Sequence, residues 1–501
     1  MTEPTPQRLA AFFAVTSAVA VLAIYAGNAA ALLAYPWDWS PDEGSPLAYA
    51  RLLLADPGSF YDRDLVPAPY PYTPLLPALL VPMVAWSAEP LLPARILACG
   101  WALLSLGSVY VLVRRKAAPS LALAATALVV APMTFSLWHL LVRMDGLMIA
   151  LWLAAAAVLL PPELRRGADR LGSRRLALGA ALLLAAVLAK PTAAFHGAPL
   201  VLGWLLVDVR SALRLSATLA AAGTIAFALL LTASSGGFLF VMGLWRHHPP
   251  QPGLRRGLLL FFLEQTLPLL LLAAAGAIAA LRRGRAPLRE SALLLVAGGL
   301  TVLPMLEKSG ASWNYLVPLQ CAVVVLAARL WGDSGWKGLG AALAGAAALA
   351  LVATQTFPLP DATDRRTATA FYGFIRDHVT RQDGPIFATW PEMAYFVAGQ
   401  PVEIEGSGAV YVARARVRGI EEIERSLTDS RYTLVVTIPY VWRDPTFATY
   451  IDGHYRPIGE CLLRYYYGTT PFTFLVRKGD PTRFDPPAGT RCASIPPGAD
   501  Q

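Results

Sequence analysis

Long apolar runs, separated by short charged clusters, make up most of the first 357 residues of this chain. Because 56% of the residues are hydrophobic and only 15% are charged, the composition excludes an ordinary soluble protein, a disordered chain and a coiled coil. A helix needs about 20 apolar residues to cross a bilayer. The pattern therefore predicts a mainly α-helical, polytopic membrane protein with about eleven spans. The runs are 9–34, 91–113, 117–138, 146–161, 176–189, 193–208, 211–233, 257–281, 290–306, 313–331 and 338–357.

Two apolar segments are interpreted differently from the rest. The first run follows Arg8 and is longer than the apolar part of a signal peptide, so we expect an uncleaved first transmembrane helix. The run at 73–88 contains three prolines. We expect it to lie at the membrane interface, because a full crossing there would place the basic cluster Arg114–Lys116 on the outside.

The distribution of Lys and Arg predicts the orientation of the chain. With the N-terminus in the cytoplasm, the inner loops carry about twice as many basic residues as the outer loops, as the positive-inside rule requires. The first long loop, 35–72, and all residues after 357 then lie outside the cell membrane. The net charge of +9 is explained by this distribution, and no nucleic-acid partner is predicted.

The chain changes character after residue 357. Phe371, Phe374 and Ile375 follow a helical period, whereas Tyr432–Pro439 and Pro471–Arg477 have the composition of strands. We therefore expect a transmembrane catalytic module over 1–357 and an extracytoplasmic α/β domain over 358–501. In that oxidising compartment Cys461 and Cys492 could form a disulfide or remain two free thiols, and the sequence leaves both open.

Three carboxylates fall at the predicted outer surface. Asp42 and Glu43 follow the first helix, and Asp145 begins a later span. Adjacent acids at a membrane surface could bind a divalent cation or accept a proton from a hydroxyl. The alternatives are that the pair is merely solvated and that Asp145 only forms a salt bridge with Arg143. The recurrence of acids at one face favours a functional role, because ionisable residues at membrane depth are costly.

Candidate donor-binding side chains collect at the same face. Lys190 could bind a lipid phosphate, or it could simply extend its ammonium group to the interface. The adjacent pair His247 and His248 has no obvious further metal ligand. The set favours chemistry on a lipid-linked substrate, and its candidate members are Arg143, Lys190, Arg246, His247, His248, Lys308 and Tyr315.

Several short motifs, taken in order, resemble the GT-C superfamily of membrane glycosyltransferases. The resemblance covers roughly residues 9–330 and is strongest to the protein O-mannosyltransferase and aminoarabinose transferase group. Each motif is short, and their order and common predicted face carry the resemblance. They are Trp39–Gly44 (WSPDEG), Ala48–Leu53 (AYARLL), Tyr70–Leu75 (YPYTPL), Arg143–Gly146 (RMDG) and Ala189–Pro191 (AKP).

The resemblance implies a polyprenyl-phosphate sugar donor, used outside the cytoplasm, and inversion at the anomeric carbon. The acceptor would be a lipid, a glycan or a protein. Asp42 would be the base or acceptor-orienting group, Glu43 would assist it and Asp145 would be the second acid. Lys190 would face the lipid phosphate. No cofactor is certain: a divalent metal on Asp42, Glu43 and Asp145 is possible, but some relatives work without one.

This sequence departs from the group at one motif. The aminoarabinose transferases carry Glu-Lys before the proline that matches Pro74, and Tyr72 and Thr73 stand there in this chain. That phosphate contact is therefore absent or supplied elsewhere, and the identity of the sugar stays open.

Two other functions remain as alternatives. A transporter or flippase would need a polar path through the spans, and the central positions of the runs are almost purely apolar. A non-enzymatic membrane scaffold would tolerate Asp42→Asn and Asp145→Asn without loss of function.

Overall fold

The computed structural model describes the chain as a helical bundle followed by a helix-and-sheet region. The described residues are 5–40, 43–61, 72–167, 170–244, 250–308, 311–355, 357–381, 386–388, 425, 427–429, 431–438, 445–465 and 468–496. The predicted class, a mainly α-helical membrane bundle with a small C-terminal sheet, is confirmed.

Fifteen α-helices of the described chain precede the C-terminal region. Their bounds are α1 Pro6–Leu33, α2 Gly44–Ala55, α3 Leu75–Trp86, α4 Leu91–Arg114, α5 Pro119–Val130, α6 Met133–Leu140, α7 Met144–Leu159, α8 Ser173–Ala189, α9 Ala193–Val207, α10 Val209–Ala233, α11 Gly237–Leu244, α12 Leu254–Arg282, α13 Leu293–Leu300, α14 Val317–Ser334 and α15 Lys337–Thr354. Short 3-10 turns lie at Pro57–Ser59, Pro287–Arg289, Leu303–Glu307 and Trp313–Leu316.

Fewer helices have membrane length than the apolar runs suggested. Six described helices are long and apolar enough to cross a bilayer, or up to seven if α5 and α6 form one bent span. The expected number of eleven is therefore not confirmed. The run 117–138 is interrupted at Pro132, where the chain bends by 75° between α5 and α6. Pro132 has no N–H to continue the hydrogen bonds of α5 and is itself in extended conformation, which explains the break.

The bundle packs around α14, whose side chains are almost all buried. This helix contacts α12, α13, α5 and α15, while α1 packs on α5 and α15. In contrast, α10 leaves most of its apolar side chains exposed, as expected of a helix that faces lipid.

Charged clusters mark the two ends of the bundle. At one end, Lys116 Nζ lies 2.8 Å from Glu290, 3.1 Å from Asp333 and 3.2 Å from Glu163. Burial disfavours the ammonium form, but Glu290 and then Asp333 outweigh that effect and raise the pKa of Lys116 above its ordinary value. At the other end, Lys190 and Asp145 pair. Helix α7 separates the two clusters by about 24 Å, since it has 16 residues. We call them the Lys116 end and the Lys190 end.

The C-terminal α/β region contains α16 (Ala362–Arg381), α17 (Pro445–His454) and one five-stranded sheet. The strands are β1 Ile386–Ala388, β2 Leu434–Thr437, β3 Tyr455–Tyr465, β4 Gly468–Arg477 and β5 Cys492–Ser494, in the order β1-β2-β4-β3-β5. Of the strands in the described residues, only β1 and β2 pair in parallel. The helical period at Phe371 and both predicted strands are confirmed.

Helix α16 covers one face of this sheet. Phe371 and Phe374 pack against Phe472, Phe474 and Phe484 with ring centroids 4.8–5.2 Å apart. The C-terminal strand is fastened to β3 by a disulfide between Cys461 and Cys492, which answers the question that the sequence left open. The limits of the two predicted domains, 1–357 and 358–501, stay a prediction.

Candidate active site

The core of the site is a buried ion pair where two neighbouring helices meet. Helix α7 begins at Met144, and α8 ends at Ala189, with Lys190 in extended conformation directly after it. The two helices pack in opposite directions, so Lys190 Nζ lies 2.6 Å from Asp145 Oδ1. Both side chains are almost inaccessible, with exposures of 4% and 1%. Such burial is tolerated only because each charge has its counter-charge.

Further side chains surround the pair. Asn314 Nδ2 donates to Asp145 Oδ1 at 2.9 Å, and Arg143 Nε lies 3.7 Å from Asp145 Oδ2. The Lys190 ammonium lies 4.6 Å from the ring centre of Tyr315 and 5.8 Å from that of Tyr72. The faces of aromatic rings attract cations. Lys190 therefore has a carboxylate on one side and aromatic rings on the others.

Local backbone contacts explain why these residues meet. Gly146, the last residue of the RMDG motif, has no room for a side chain, because a Cβ there would lie 2.7 Å from the carbonyl oxygen of Trp138. Thr73 Oγ1 donates to the carbonyl of Val187 at 3.0 Å and so holds Tyr72 beside the end of α8. Glycine thus lets α7 begin close to α6, and threonine anchors the segment that carries Tyr72.

An apolar cavity of about 240 Å³ opens beside Lys190. Phe195, Met242 and Met305 form its apolar walls, and Tyr72 and Tyr315 line the side near the ion pair. Lys308 also lines the cavity and is exposed, in contrast to the buried Lys190. The cavity thus combines a hydrocarbon-like wall with two ammonium groups, which suits an amphiphile with an anionic head.

We call the segment from Ala34 to Glu43 loop one. Arg95, on α4, binds this segment. The Arg95 guanidinium binds both carboxylate oxygens of Glu43, at 2.9 and 2.7 Å, and is 1% exposed. It also donates to the carbonyls of Leu32, Tyr35 and Trp37 at 2.6–2.9 Å. Glu43 additionally accepts the backbone N–H groups of Trp39 and Val142. These contacts give Glu43 an observed structural role, while its catalytic role stays a prediction.

Loop one and the segment before α7 come together, as the sequence predicts. Arg143 donates to Ser40 Oγ at 3.2 Å, and the Val142 N–H donates to Glu43 Oε1 at 3.3 Å. Ser40 and Glu43 flank Asp42, which lies outside the described residues. Ser40, two residues before Asp42, and Glu43, directly after it, therefore both contact the segment that leads into Asp145.

The remaining predicted residues divide into two groups. Lys308 and Tyr315 line the cavity, whereas Arg246, His247 and His248 lie outside the described chain. The donor-binding role of all five stays a prediction. Among the described residues there is no group of three His, Cys, Asp or Glu side chains that could hold a metal ion. A metal bound by Asp42, Glu43 and Asp145 would have to compete with Arg95 and Lys190 for two of these carboxylates.

Arg95 was not singled out from the sequence, and Asn314 was not among the candidate site residues. Arg95 is a single cation near the start of the apolar run 91–113, and a lone charge at membrane depth is itself a signal of function or of pairing. Its partner could not be predicted, because Glu43 lies 52 residues earlier in the chain.

Comparison with solved structures identifies the fold. The crystal structure of ArnT from Cupriavidus metallidurans in the apo state matches at a TM-score of 0.53 and 14% identity, covering 91% of this chain and 97% of that one. The structure of the same protein bound to undecaprenyl phosphate matches at 0.56 and 12%, covering 90% and 97%. An oligosaccharyltransferase from Archaeoglobus fulgidus matches at 0.49 and 14%, covering 90% and 72%.

No protein-family model matches the sequence, and no curated protein matches it. The likeness to ArnT extends over nearly the full length of both chains. The sequence identity is low, so the likeness is one of fold. The chain therefore has the GT-C fold of the membrane glycosyltransferases, in agreement with the order of its sequence motifs.

Proposed function

We propose that the chain is a membrane glycosyltransferase that transfers a sugar from a polyprenyl-phosphate donor to an acceptor outside the cytoplasm. The observation that carries the proposal is the buried Asp145–Lys190 pair beside an apolar cavity, at the end of the bundle that also holds loop one. The protein with this fold that was crystallised with undecaprenyl phosphate supports the same class of donor.

The proposed reaction is a single displacement at the anomeric carbon. The acceptor hydroxyl attacks this carbon while the Asp42 carboxylate accepts its proton. The bond from the anomeric carbon to the phosphate oxygen breaks, and its electron pair leaves with the polyprenyl phosphate. The configuration inverts, and the sugar carries oxocarbenium-like charge in the transition state.

The cations beside the cavity would stabilise the departing phosphate. Both lysines line the cavity. Lys308 is exposed, whereas Lys190 is buried and paired with Asp145. Fixed charges at the place where negative charge develops are worth several kcal/mol in a water-poor site, about 3–4 for one lost donor. We infer that Arg143 and Tyr315 support the two lysines, and that Asp145 holds Lys190 and contributes the second carboxylate.

Sidedness is part of the proposal. The basic residues of the loops concentrate at the Lys116 end, which favours a cytoplasmic location for that end. The Lys190 end, loop one and the C-terminal α/β region would then lie outside.

A divalent metal remains compatible with the proposal and is tested by activity in excess chelator.

The decisive experiment uses the full-length protein in lipid nanodiscs. Undecaprenyl-phosphate mannose and undecaprenyl-phosphate aminoarabinose are offered separately with an envelope-lipid extract, and the released undecaprenyl phosphate is measured by mass spectrometry. We expect release from one donor, and a loss of about 100-fold or more in Asp42→Asn. Glu89→Gln removes an exposed carboxylate between α3 and α4 and serves as the matched control, with activity equal to wild type.

Three results would contradict the proposal in different ways. Full activity of Asp42→Asn would remove Asp42 from the reaction. Absence of release from polyprenyl-phosphate donors of several sugar classes would argue against the transferase. Movement of intact donor across proteoliposomes without release would favour the flippase instead.

A further inference from the structure

Helix α16 of the C-terminal α/β region contacts loop one through aromatic and polar side chains. The ring of Trp37 stacks on Tyr372, with centroids 4.8 Å apart and planes inclined by 17°. The indole N–H of Trp37 donates to Thr369 Oγ1 at 3.0 Å. Trp37 of loop one thus contacts Thr369 and Tyr372, which lie three residues apart on the same face of α16.

The contact extends along loop one. The indole N–H of Trp39 donates to the carbonyl of Pro358 at 2.8 Å, and Arg365 donates to the carbonyl of Ala34 at 2.9 Å. Tyr35 and Trp39 share one buried apolar cluster with Phe371. Leu140 and Leu141, just before Arg143, belong to the same cluster. Loop one, the approach to Asp145 and α16 therefore form one core.

Loop one is consequently held from two sides. Arg95 binds it from the bundle, through the carbonyls of Tyr35 and Trp37 and the carboxylate of Glu43. Helix α16 binds it through Trp37, and Pro358, just before α16, accepts a hydrogen bond from Trp39. The position of the backbone next to Asp42 thus depends on a region more than 300 residues later in the chain.

We propose that α16 is a positioning element for the reaction: it fixes loop one so that Asp42 meets the acceptor hydroxyl. The catalytic consequence rests on the proposed function, whereas the mechanical coupling of α16 to loop one does not. Residues that position a reacting group act on the rate of the chemical step, because a displacement of about 1 Å can cost 100-fold in rate. Trp37, Thr369 and Tyr372 are therefore positioning residues, since none of them is expected to touch the substrate.

The test compares Tyr372→Leu, which removes the stacked ring, with Tyr372→Phe, which keeps it. Hydrogen exchange of the backbone amides between Tyr35 and Glu43 is measured by mass spectrometry on the full-length protein. For Tyr372→Leu we expect exchange about tenfold faster. We also expect kcat for polyprenyl phosphate release to fall about tenfold, with the KM of the donor within about twofold of wild type. Tyr372→Phe should restore both.

A variant on the opposite face of the sheet serves as the control for general destabilisation. Leu475 is buried in a separate cluster with Val435 and Tyr455, away from α16. Leu475→Ala should lower the thermal midpoint at least as much as Tyr372→Leu, without accelerating exchange in loop one or lowering kcat.

The outcomes separate this proposal from the proposed function. Unchanged exchange in Tyr372→Leu overturns the coupling, and faster exchange with an unchanged kcat overturns the positioning role. Equal effects in Leu475→Ala would reduce both to general instability. If the wild type releases no polyprenyl phosphate, the transferase proposal fails, and exchange alone decides whether α16 holds loop one.

Discussion

Arg95 and Glu43 illustrate how individual charges are accommodated at the Lys190 end. Both side chains are buried, and the guanidinium satisfies a carboxylate and three carbonyls at once. Arginine suits this place because its planar group presents five donors in fixed directions. The pair therefore organises loop one, and its removal should affect folding before chemistry.

We expect Arg95→Met to lower the free energy of unfolding by about 3–5 kcal/mol, because it leaves the Glu43 carboxylate buried without its counter-charge. Glu43→Gln should cost less, since the amide oxygen can still accept from Arg95. Thermal unfolding in detergent gives the order of the two variants. Arg174→Met, at an exposed position, is the control and should stay within about 0.5 kcal/mol of wild type. Equal stability of Arg95→Met and wild type would refute the structural role.

The Asp145–Lys190 pair allows stability and function to be separated. Lys190→Met leaves a buried carboxylate beside Arg143 and Asn314, so we expect a clear fall in the thermal midpoint. The double variant Asp145→Asn, Lys190→Met removes both charges and should regain most of that loss. Donor release should nevertheless remain at least about 100-fold below wild type, because the cation beside the cavity is gone. An active double variant would show that Lys190 only neutralises Asp145.

Different residues of the site were predictable to different degrees. Asp145 and Lys190 were predictable because each lies at the end of an apolar run. An ionisable side chain at membrane depth is costly and is therefore a functional candidate. The pairing of Glu43 with Arg95, and the packing of Tyr72 over Lys190, were not predictable. Both depend on contacts between segments that are distant in sequence, and apolar periodicity carries no information on these.

Among the elements, α16 has a reciprocal cap at its start. Asp361 Oδ1 accepts the backbone N–H of Asp364 at 2.7 Å, and Asp364 Oδ2 accepts that of Asp361 at 2.9 Å, which forms a reciprocal capping box. Arg491 Nη1 lies 2.6 Å from Asp364 Oδ1 and ties the C-terminal tail to the same turn. The cap, the tail and the Cys461–Cys492 disulfide thus support the helix that holds loop one.

The cap predicts a pH dependence. The hydrogen bond from the Asp364 N–H, with Arg491 nearby, lowers the pKa of Asp361 below its ordinary value, although burial opposes the shift. A lowered folded-state pKa means that the stabilisation is complete above the ordinary pKa and is lost as the pH falls through the folded value. Asn remains a good N-cap. The thermal midpoint of Asp361→Asn should therefore lie slightly below that of wild type at pH 6, and the gap should narrow as the pH falls below the ordinary pKa of an aspartate, about 3.9.

The exposed variant Asp377→Asn, on α16 but away from its first turn, provides the comparison for this experiment. Its midpoint should follow that of wild type across the same pH range. A gap between Asp361→Asn and wild type that stays constant from pH 6 to pH 3 would contradict the assignment.

At the scale of elements, the sequence predicted which segments are apolar better than where helices end. The run 290–306 became α13 and a 3-10 turn, because Pro304 lacks the N–H that a continuing α-helix requires. The segment 73–88 contains a single helix of 12 residues, α3. Its start, at Thr73, contacts the end of α8, and Arg95 shortly after it contacts loop one. Both flanks of α3 therefore lie at the Lys190 end, as an interfacial segment would require.

For the molecule as a whole, the proposed function depends on the separation of the two ends. The Lys116 end is an ionic network in which Arg329 also binds Glu290, at 3.0 Å, whereas the Lys190 end has the apolar cavity, loop one and the α/β region. A lipid-linked donor can reach its acceptor only if the cavity, the acids and the C-terminal region share one side of the membrane. Sidedness can therefore be tested without knowing the sugar or the acceptor.

Two single-cysteine substitutions should label from opposite sides. Asp485 is exposed in the C-terminal α/β region, and Arg283 is exposed at the Lys116 end just after α12. With a membrane-impermeant maleimide on intact spheroplasts, we expect Asp485→Cys to react and Arg283→Cys to react only after permeabilisation. The unsubstituted protein measures the background from Cys99 and Cys321, of which Cys321 is buried. Labelling of both positions from the same side would place the two clusters in one compartment. Exclusive labelling of Arg283→Cys from outside would invert the orientation, so that the cavity would face donors made in the cytoplasm.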